Sequence, residues 1–112
     1  MKKIEAIIRV EKLDEIREAL KEIGYPGMTI TRVEGHGQQK GLIEQFRGRE
    51  FKVELLPKIK IEIVASDVDV DKIIKCIAER AYTGNIGDGK IFVLSVEDAI
   101  RVRTGEKGEE AL

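Results

Sequence analysis

The hydrophobic pattern of this chain changes its period twice in the same order, and this repetition is the strongest constraint on the fold. Apolar side chains alternate over residues 3–10, which predicts a strand. Over residues 12–23 they recur every three or four positions, which predicts an amphipathic helix that ends at Gly24. Alternation returns over residues 28–34 and predicts a second strand.

The same order of strand, helix and strand recurs in the second half of the chain. Residues 58–65 alternate strongly, and a helix capped by Asp67 or Asp69 is expected to extend to Ala81. Residues 91–96 form the next predicted strand.

Two β-α-β units within 112 residues predict a single domain, residues 1–112, of the α+β class. The expected architecture is ferredoxin-like, with an antiparallel sheet and both helices on one face. The opposite face of the sheet is partly apolar, so we expect a symmetric oligomer to cover it.

The regular pattern fails between Gly35 and Pro57, where glycine and polar residues leave little to bury. A long irregular segment inside a compact domain usually serves function, so the sequence predicts a projecting loop here.

Composition excludes several classes of function. The net charge is −1, from 20 basic and 21 acidic residues with interleaved signs, so no nucleic-acid partner is expected. One cysteine and one histidine are too few for a structural zinc site, and the single cysteine, which allows no internal disulfide, fits a reducing cytoplasm. Neither an export signal nor a membrane span is expected, which predicts a cytoplasmic location.

The segment Gly84–Lys90 has the spacing of a phosphate-binding P-loop, but Ile91 stands where that motif requires a hydroxyl. A helix also precedes this segment and a strand follows it, which is the reverse of the P-loop order. Its glycines could direct backbone N–H groups at an anion beside Lys90, or could simply form a tight turn. The residues alone leave both interpretations open.

Three other features bear on chemistry. Residues 35–41 contain three glycines after a strand but break the dinucleotide-binding pattern, so they too fit a plain loop. Arg101 and Arg103 alternate on a predicted short strand, which suits a polyphosphate, a carboxylate or an ordinary exposed edge. His36 and Cys76 form no nucleophilic arrangement, so an anion-binding domain that is not an enzyme is expected.

Several segments together make the chain resemble the PII nitrogen-regulatory signal-transduction proteins. They are MKKIEAII at 1–8, KLDEIREAL at 12–20, GMT at 27–29, the glycines and QKG of 35–41, LPKIKIEIV at 56–64, TGNIGDGKIFV at 83–93 and IRVRTG at 100–105.

The resemblance implies a ferredoxin-like homotrimer with a T-loop at about residues 37–55, a B-loop at 82–90 and a C-terminal loop at 101–112. ATP or ADP would bind between subunits. The residues implied in nucleotide binding are Ile7, Thr29, Gly35, Gly37, Gln38, Gln39, Glu62, Val64, Gly87, Asp88, Gly89, Lys90, Arg101 and Arg103. Those implied in 2-oxoglutarate binding are Gly37, Gln39, Lys40, Gly41 and Lys58, with Mg²⁺ held by Gln39, the phosphates and 2-oxoglutarate.

The implied partner is an ammonium transporter, contacted through Arg47 and Phe51, which would bring the protein to the inner membrane face. Glutamine synthetase or another nitrogen enzyme is a second implied partner. Phe51 replaces the tyrosine that relatives modify and Arg49 replaces a phosphorylated serine, so no such modification is expected. Gln38 replaces a frequent arginine. The alternative function is a slow ATP hydrolase whose turnover times the switch.

Overall fold

The computed structural model describes residues 1–38 and 53–112, with the side chains of Gln38, Val53 and Glu54 left aside. Within these ranges the elements are β1 (Lys2–Ile8), α1 (Leu13–Glu22), β2 (Thr29–Gln38), β3 (Val53–Ala65), α2 (Val70–Ala81) and β4 (Gly89–Ser95). The strands form one sheet in the order β2-β3-β1-β4, and every neighbouring pair is antiparallel. This is the predicted ferredoxin-like arrangement.

The core lies between the two helices and one face of the sheet. Alternate residues of β1 and β3 point into it, and both helices supply the opposite wall. Its fully buried members are Ile4, Ala6, Ile8, Ile16, Leu20, Ile59, Ile61, Ile63, Ile73 and Ile77. Each large side chain buried in this way contributes about 2 kcal/mol to stability. Because the buried positions must be apolar and alternate along a strand, the pattern in the sequence predicted these strands correctly.

The ends of the helices agree with the sequence predictions only in part. Gly24 has a φ of 91° and ends α1 in a Schellman motif, in which the Tyr25 N–H donates to the Leu20 carbonyl at 2.8 Å. The capping prediction for α2 was wrong, because neither the Asp67 nor the Asp69 side chain accepts a capping hydrogen bond there. The Asp67 carboxylate instead pairs with the N-terminal ammonium group at 3.0 Å.

The long hairpin of β2 and β3 extends further than the sequence predicted. The ladder runs from the Thr29–Glu62 pair out to the Gln38–Val53 pair, so the loss of regular structure expected from Gly35 to Pro57 was wrong at both ends. Backbone hydrogen bonds hold antiparallel strands together even where neither side chain is apolar, and the alternation signal cannot report such pairing. The middle of the predicted T-loop lies outside the described residues.

The C-terminal region was also predicted incorrectly. Arg101 and Arg103 lie in a turn and not on a strand, because Gly105, with a φ of 74°, reverses the chain directly after them. The Arg101 N–H donates to the Glu106 carbonyl at 2.9 Å, and a single bridge pairs Ile100 with Lys107. A 3₁₀ helix then runs from Gly108 to Ala111.

The second face of the sheet carries ion pairs beside exposed apolar residues. The Lys3 ammonium lies 2.8 Å from the Glu5 carboxylate and 3.1 Å from the Glu62 carboxylate. Phe92 and Leu94 are exposed next to them, as expected for a partly apolar face. None of the helices in the described ranges is long and apolar enough to cross a membrane.

Candidate anion-binding cleft

A cleft of about 520 Å³ opens where the end of β1 meets β2, β3 and the turn before β4. It collects residues that are far apart in the sequence, and most of them were predicted as ligand-binding residues. Its lining consists of Ile7, Gly35, His36, Gly37, Lys58, Ile86, Gly87, Gly89, Lys90 and Phe92.

Glycine is required where the turn enters β4. Gly89 pairs with Ile8 and has a φ of 114°. A Cβ atom at this position would lie 1.9 Å from the Ile7 carbonyl oxygen, so no other residue fits without moving the backbone. This close approach sets the turn directly against β1 and above the cleft.

The carboxylate of Asp88 holds the turn together from within. One oxygen accepts the backbone N–H groups of Thr83 and Gly84 at 2.7 and 2.9 Å, and the other accepts the Thr83 hydroxyl and the Arg9 guanidinium. The hydrogen bond from the Thr83 hydroxyl, followed by that from its backbone, holds the pKa of Asp88 well below the usual range. Because both oxygens accept hydrogen bonds from the ends of the turn and from Arg9, the carboxylate fixes the shape of the turn.

Two cationic side chains hold successive carbonyl groups of the turn. Arg9 Nη2 donates to the Ile86 carbonyl at 2.8 Å, and Lys58 Nζ donates to the Gly87 carbonyl at 2.8 Å. Burial lowers the pKa of Lys58, and the nearby Arg9 charge lowers it further. Sequence reasoning missed Arg9, since no spacing motif includes it and only the pairing of β1 with β4 brings it to the turn.

The remaining predicted nucleotide residues lie elsewhere in the chain. Thr29 and Glu62 pair with each other on the same sheet face, and Val64 lies six positions from Lys58, a separation of about 20 Å along a strand. Arg101 donates to the Glu106 carboxylate at 2.9 Å and to the Leu112 carbonyl at 3.1 Å. Arg103 is exposed in the same turn. One chain therefore does not gather all the predicted residues into the cleft.

Several predicted site residues belong to the part of the chain between β2 and β3. Gln39, Lys40, Gly41, Arg47 and Phe51 lie outside the described residues, as does Arg49.

The cleft is suited to an anion rather than to a metal ion held by protein groups alone. Lys58 and Lys90 contribute positive charge, and the glycines allow a ligand to approach the backbone closely. Within residues 1–38 and 53–112, no cluster of three or more His, Cys, Asp or Glu side chains could hold a metal ion.

Comparison with known proteins assigns the chain to a family. The family model for Nitrogen regulatory protein P-II matches residues 1–106. Proteins named Nitrogen regulatory protein P-II from Pasteurella multocida and Haemophilus influenzae are 57% and 58% identical to this chain, and each alignment covers the full length of both proteins. Nitrogen regulatory protein P-II 2 from Methanothermobacter thermautotrophicus is 53% identical, over all of this chain and 97% of the relative. The chain therefore belongs to the nitrogen regulatory protein P-II family.

Proposed function

We propose that this protein is a nitrogen-regulatory sensor that binds ATP or ADP, with the phosphates held by the segment from Gly87 to Lys90. The observation that carries the proposal is that this segment shares one cleft with Ile7, Gly35 and Gly37. A polyphosphate suits the site because Lys90 supplies a charge and the glycine backbone lets N–H groups reach the ligand. The relatives are named as regulatory proteins, which favours a signalling role over an enzymatic one.

A second copy of the chain supplies the rest of the nucleotide site in this proposal. Thr29, Glu62 and Val64 would contact the base and ribose, and Arg101 and Arg103 would reach the phosphates across the subunit boundary. Support comes from the separation of these residues from the cleft in one chain, and from the exposed Phe92 and Leu94 on the open sheet face. A homotrimer with the sheets facing inward satisfies both requirements.

The second ligand in the proposal is 2-oxoglutarate, bound beside the phosphates. Lys58 would pair with one of its carboxylates, with Gly37, Gln39, Lys40 and Gly41 around it. Lys58 fits because its ammonium group reaches the cleft and now donates to a carbonyl, which a carboxylate would replace as a stronger acceptor.

Magnesium fits a site of this kind because it usually takes most of its ligands from phosphates and water. In the proposal Gln39, which lies outside the described residues, adds a protein oxygen to those of the phosphates and 2-oxoglutarate. When bound, the ion would neutralise phosphate charge and link the two ligands.

Ligand binding would then shift the T-loop between forms that present different surfaces to a partner. The proposed partner is an ammonium transporter contacted through Arg47 and Phe51, with glutamine synthetase or another nitrogen enzyme as a second target. The protein would act in the cytoplasm and reach the inner membrane face through the transporter. With Phe51 in place of tyrosine, occupancy of the ligand site alone would set the signal.

Calorimetric titration tests the ligands directly. We expect ATP and ADP to bind the purified protein, and 2-oxoglutarate to bind only after ATP and Mg²⁺. Lys90→Met should abolish or strongly weaken ATP binding, whereas Lys75→Met, a control on the exposed face of α2, should not change it. Wild-type protein that binds neither nucleotide would overturn the proposal, and 2-oxoglutarate binding without nucleotide would overturn the shared magnesium site.

A mixing experiment tests the shared site. Chains carrying Lys90→Met and chains carrying Arg103→Ala should each fail to bind ATP alone. After they are unfolded and refolded together, about a quarter of the subunit boundaries should carry both native residues and bind ATP. No recovery in mixed oligomers, checked by light scattering, would contradict a site made by two subunits.

A further inference from the structure

Arg9 contacts the turn on both sides of Gly87. Its Nη2 atom donates to the carbonyl of Ile86 at 2.8 Å, and its Nε atom donates to the carboxylate of Asp88 at 3.2 Å. A Cβ atom at Gly87 would lie 3.3 Å from the same Nη2 atom, so the guanidinium packs directly against the turn. Arg9 itself does not line the cleft, whereas Ile86 and Gly87 do.

These contacts fix the direction of one peptide group. In a trans peptide the C=O and N–H bonds point in opposite directions, so holding the Ile86 carbonyl toward Arg9 turns the Gly87 N–H away from it. Gly87 has a φ of 100°. Glycine adopts positive and negative φ values about equally well, so its own preference does not hold the backbone in this orientation and an outside contact is needed. Among the described residues, the Gly87 N–H finds no acceptor.

We propose that Arg9 is a positioning residue, which holds the Ile86–Gly87 peptide so that the Gly87 N–H is presented to an anion in the cleft. This inference rests on the proposed nucleotide binding and adds a residue that acts through the turn without touching the ligand. A guanidinium suits the task because its fixed fork holds a carbonyl and a carboxylate at once. Asp88 serves as the second anchor, since its carboxylate joins Arg9 to the start of the turn at Thr83 and Gly84.

The test compares ligands that do and do not carry phosphates. In Arg9→Met the side-chain stem stays and both donors are lost, so the turn should sample other orientations and the Kd for ATP should rise about tenfold. The Kd for adenosine should stay within about twofold, because the base and ribose do not use the turn. Arg9→Lys keeps one donor and should lie between. Arg17→Met, which removes an exposed arginine from α1, is the matched control and should bind ATP like wild type.

A double-mutant cycle separates positioning from direct contact. If Arg9 acts through the turn, Arg9→Met and Asp88→Asn should together weaken ATP binding by much less than the product of their separate effects. Multiplying effects would mean that Arg9 meets the phosphates on its own, and would overturn the inference.

Binding measurements on Arg9→Met alone can also overturn the inference. Unchanged ATP binding by Arg9→Met, or equal loss of ATP and adenosine, would also overturn a positioning role. Thermal melting of each variant identifies any that fail to fold. If Arg9→Met fails to fold, the test is made with Arg9→Lys: a Kd that rises for ATP and not for adenosine supports the positioning role. Wild-type protein that binds no ATP would instead overturn the proposed function, and this inference with it.

Discussion

The helix-covered side of the sheet and the turn from Thr83 to Gly89 are stabilised by different means. On the helix side, buried isoleucines from the sheet and from both helices exclude water, and every member of the core is apolar. In the turn, the side chains are exposed or half-buried, and the conformation depends on charged groups that hold backbone atoms. The first arrangement is spread over many weak contacts, whereas the second depends on a few atoms.

This difference also separates what supports the fold from what supports binding. A substitution in the core should reduce stability and leave the affinity of the folded protein for a nucleotide unchanged. A substitution in the turn should change affinity even where stability is little affected. Gly89 is the exception, because it belongs to both regions: it pairs with Ile8 on β1 and also lines the cleft.

Gly89→Ala should therefore have the largest effect. The new Cβ atom would lie 1.9 Å from the Ile7 carbonyl oxygen at a φ of 114°, so β4 must shift away from β1. We expect the free energy of unfolding to fall by about 4 kcal/mol, and ATP binding to be lost in whatever protein remains folded. Urea denaturation and calorimetry measure the two effects.

Gly105→Ala provides the matched control for that experiment. Gly105 also has a positive φ, of 74°, but a Cβ atom added there would have no neighbour within 4 Å. Only the backbone conformation is penalised, so the loss should be about 1 kcal/mol. Equal losses for the two variants would show that strain in φ, and not the contact with β1, makes Gly89 necessary.

Ile61→Ala should produce the next largest effect and should act on stability alone. Ile61 is fully buried between the sheet and the helices, and its truncation leaves a cavity that costs about 3 kcal/mol. The Kd for ATP, measured well below the melting temperature, should match that of wild type. A clear rise in Kd would show that the core and the cleft are coupled, which would break the distinction between the two regions.

The core could be predicted from the sequence because its signal is local. Alternation at Ile59, Ile61 and Ile63 reports burial on one face of a strand, and only one register keeps these side chains inside. The pairing of Gly37 with Glu54 gives no such signal, since neither is an apolar residue of the kind that alternation detects. That is why the sequence predicted the inner half of the hairpin and missed its outer half.

For the cleft, the sequence indicated which kinds of residue take part but not how they are arranged. The glycines around Asp88 and the adjacent Lys90 indicated an anion site or a turn, and the residues alone did not decide between them. The bracing by Arg9 depends on two strands that lie about 80 positions apart in sequence, and no local pattern reports a contact over that distance. The sequence predicted a strand at Arg101 and Arg103 because charged and apolar residues alternate there. Over only three residues, the same alternation also occurs in turns, which is what the structure contains.

Asp88→Asn should have a smaller, pH-dependent effect on stability. The pKa of Asp88 is lowered in the folded state, so its contribution is present above the unfolded pKa of about 4 and is lost as the pH falls below that value. At pH 7 the urea midpoint of wild type should exceed that of Asp88→Asn. The difference should narrow as the pH falls from 4 toward 2, because protonation removes from wild type what the substitution has already removed.

Other acidic groups also lose contacts in this range, but they do so in both proteins and cancel in the difference. A difference between wild type and Asp88→Asn that stays constant from pH 7 to pH 2 would show that the amide is destabilising for reasons unrelated to charge. In that case the turn would depend on the geometry of Asp88 rather than on its ionisation.

The smallest expected effect belongs to a polar contact on the helix side. The Tyr25 hydroxyl, just after α1, donates to the Asp69 carboxylate at the start of α2. This hydrogen bond raises the pKa of Tyr25 to about 12. The raised pKa means that the contact stabilises the fold below the unfolded pKa of about 10, and that this contribution is lost as the pH rises from 10 to 12.

Absorbance at alkaline pH should therefore show a tyrosine that ionises near pH 12, and Tyr25→Phe should remove it. Because buried isoleucines hold the two helices together in any case, Tyr25→Phe should lower the urea midpoint only slightly at pH 7. A loss as large as that of Ile61→Ala would mean that the helix layer, like the turn, depends on individual polar contacts.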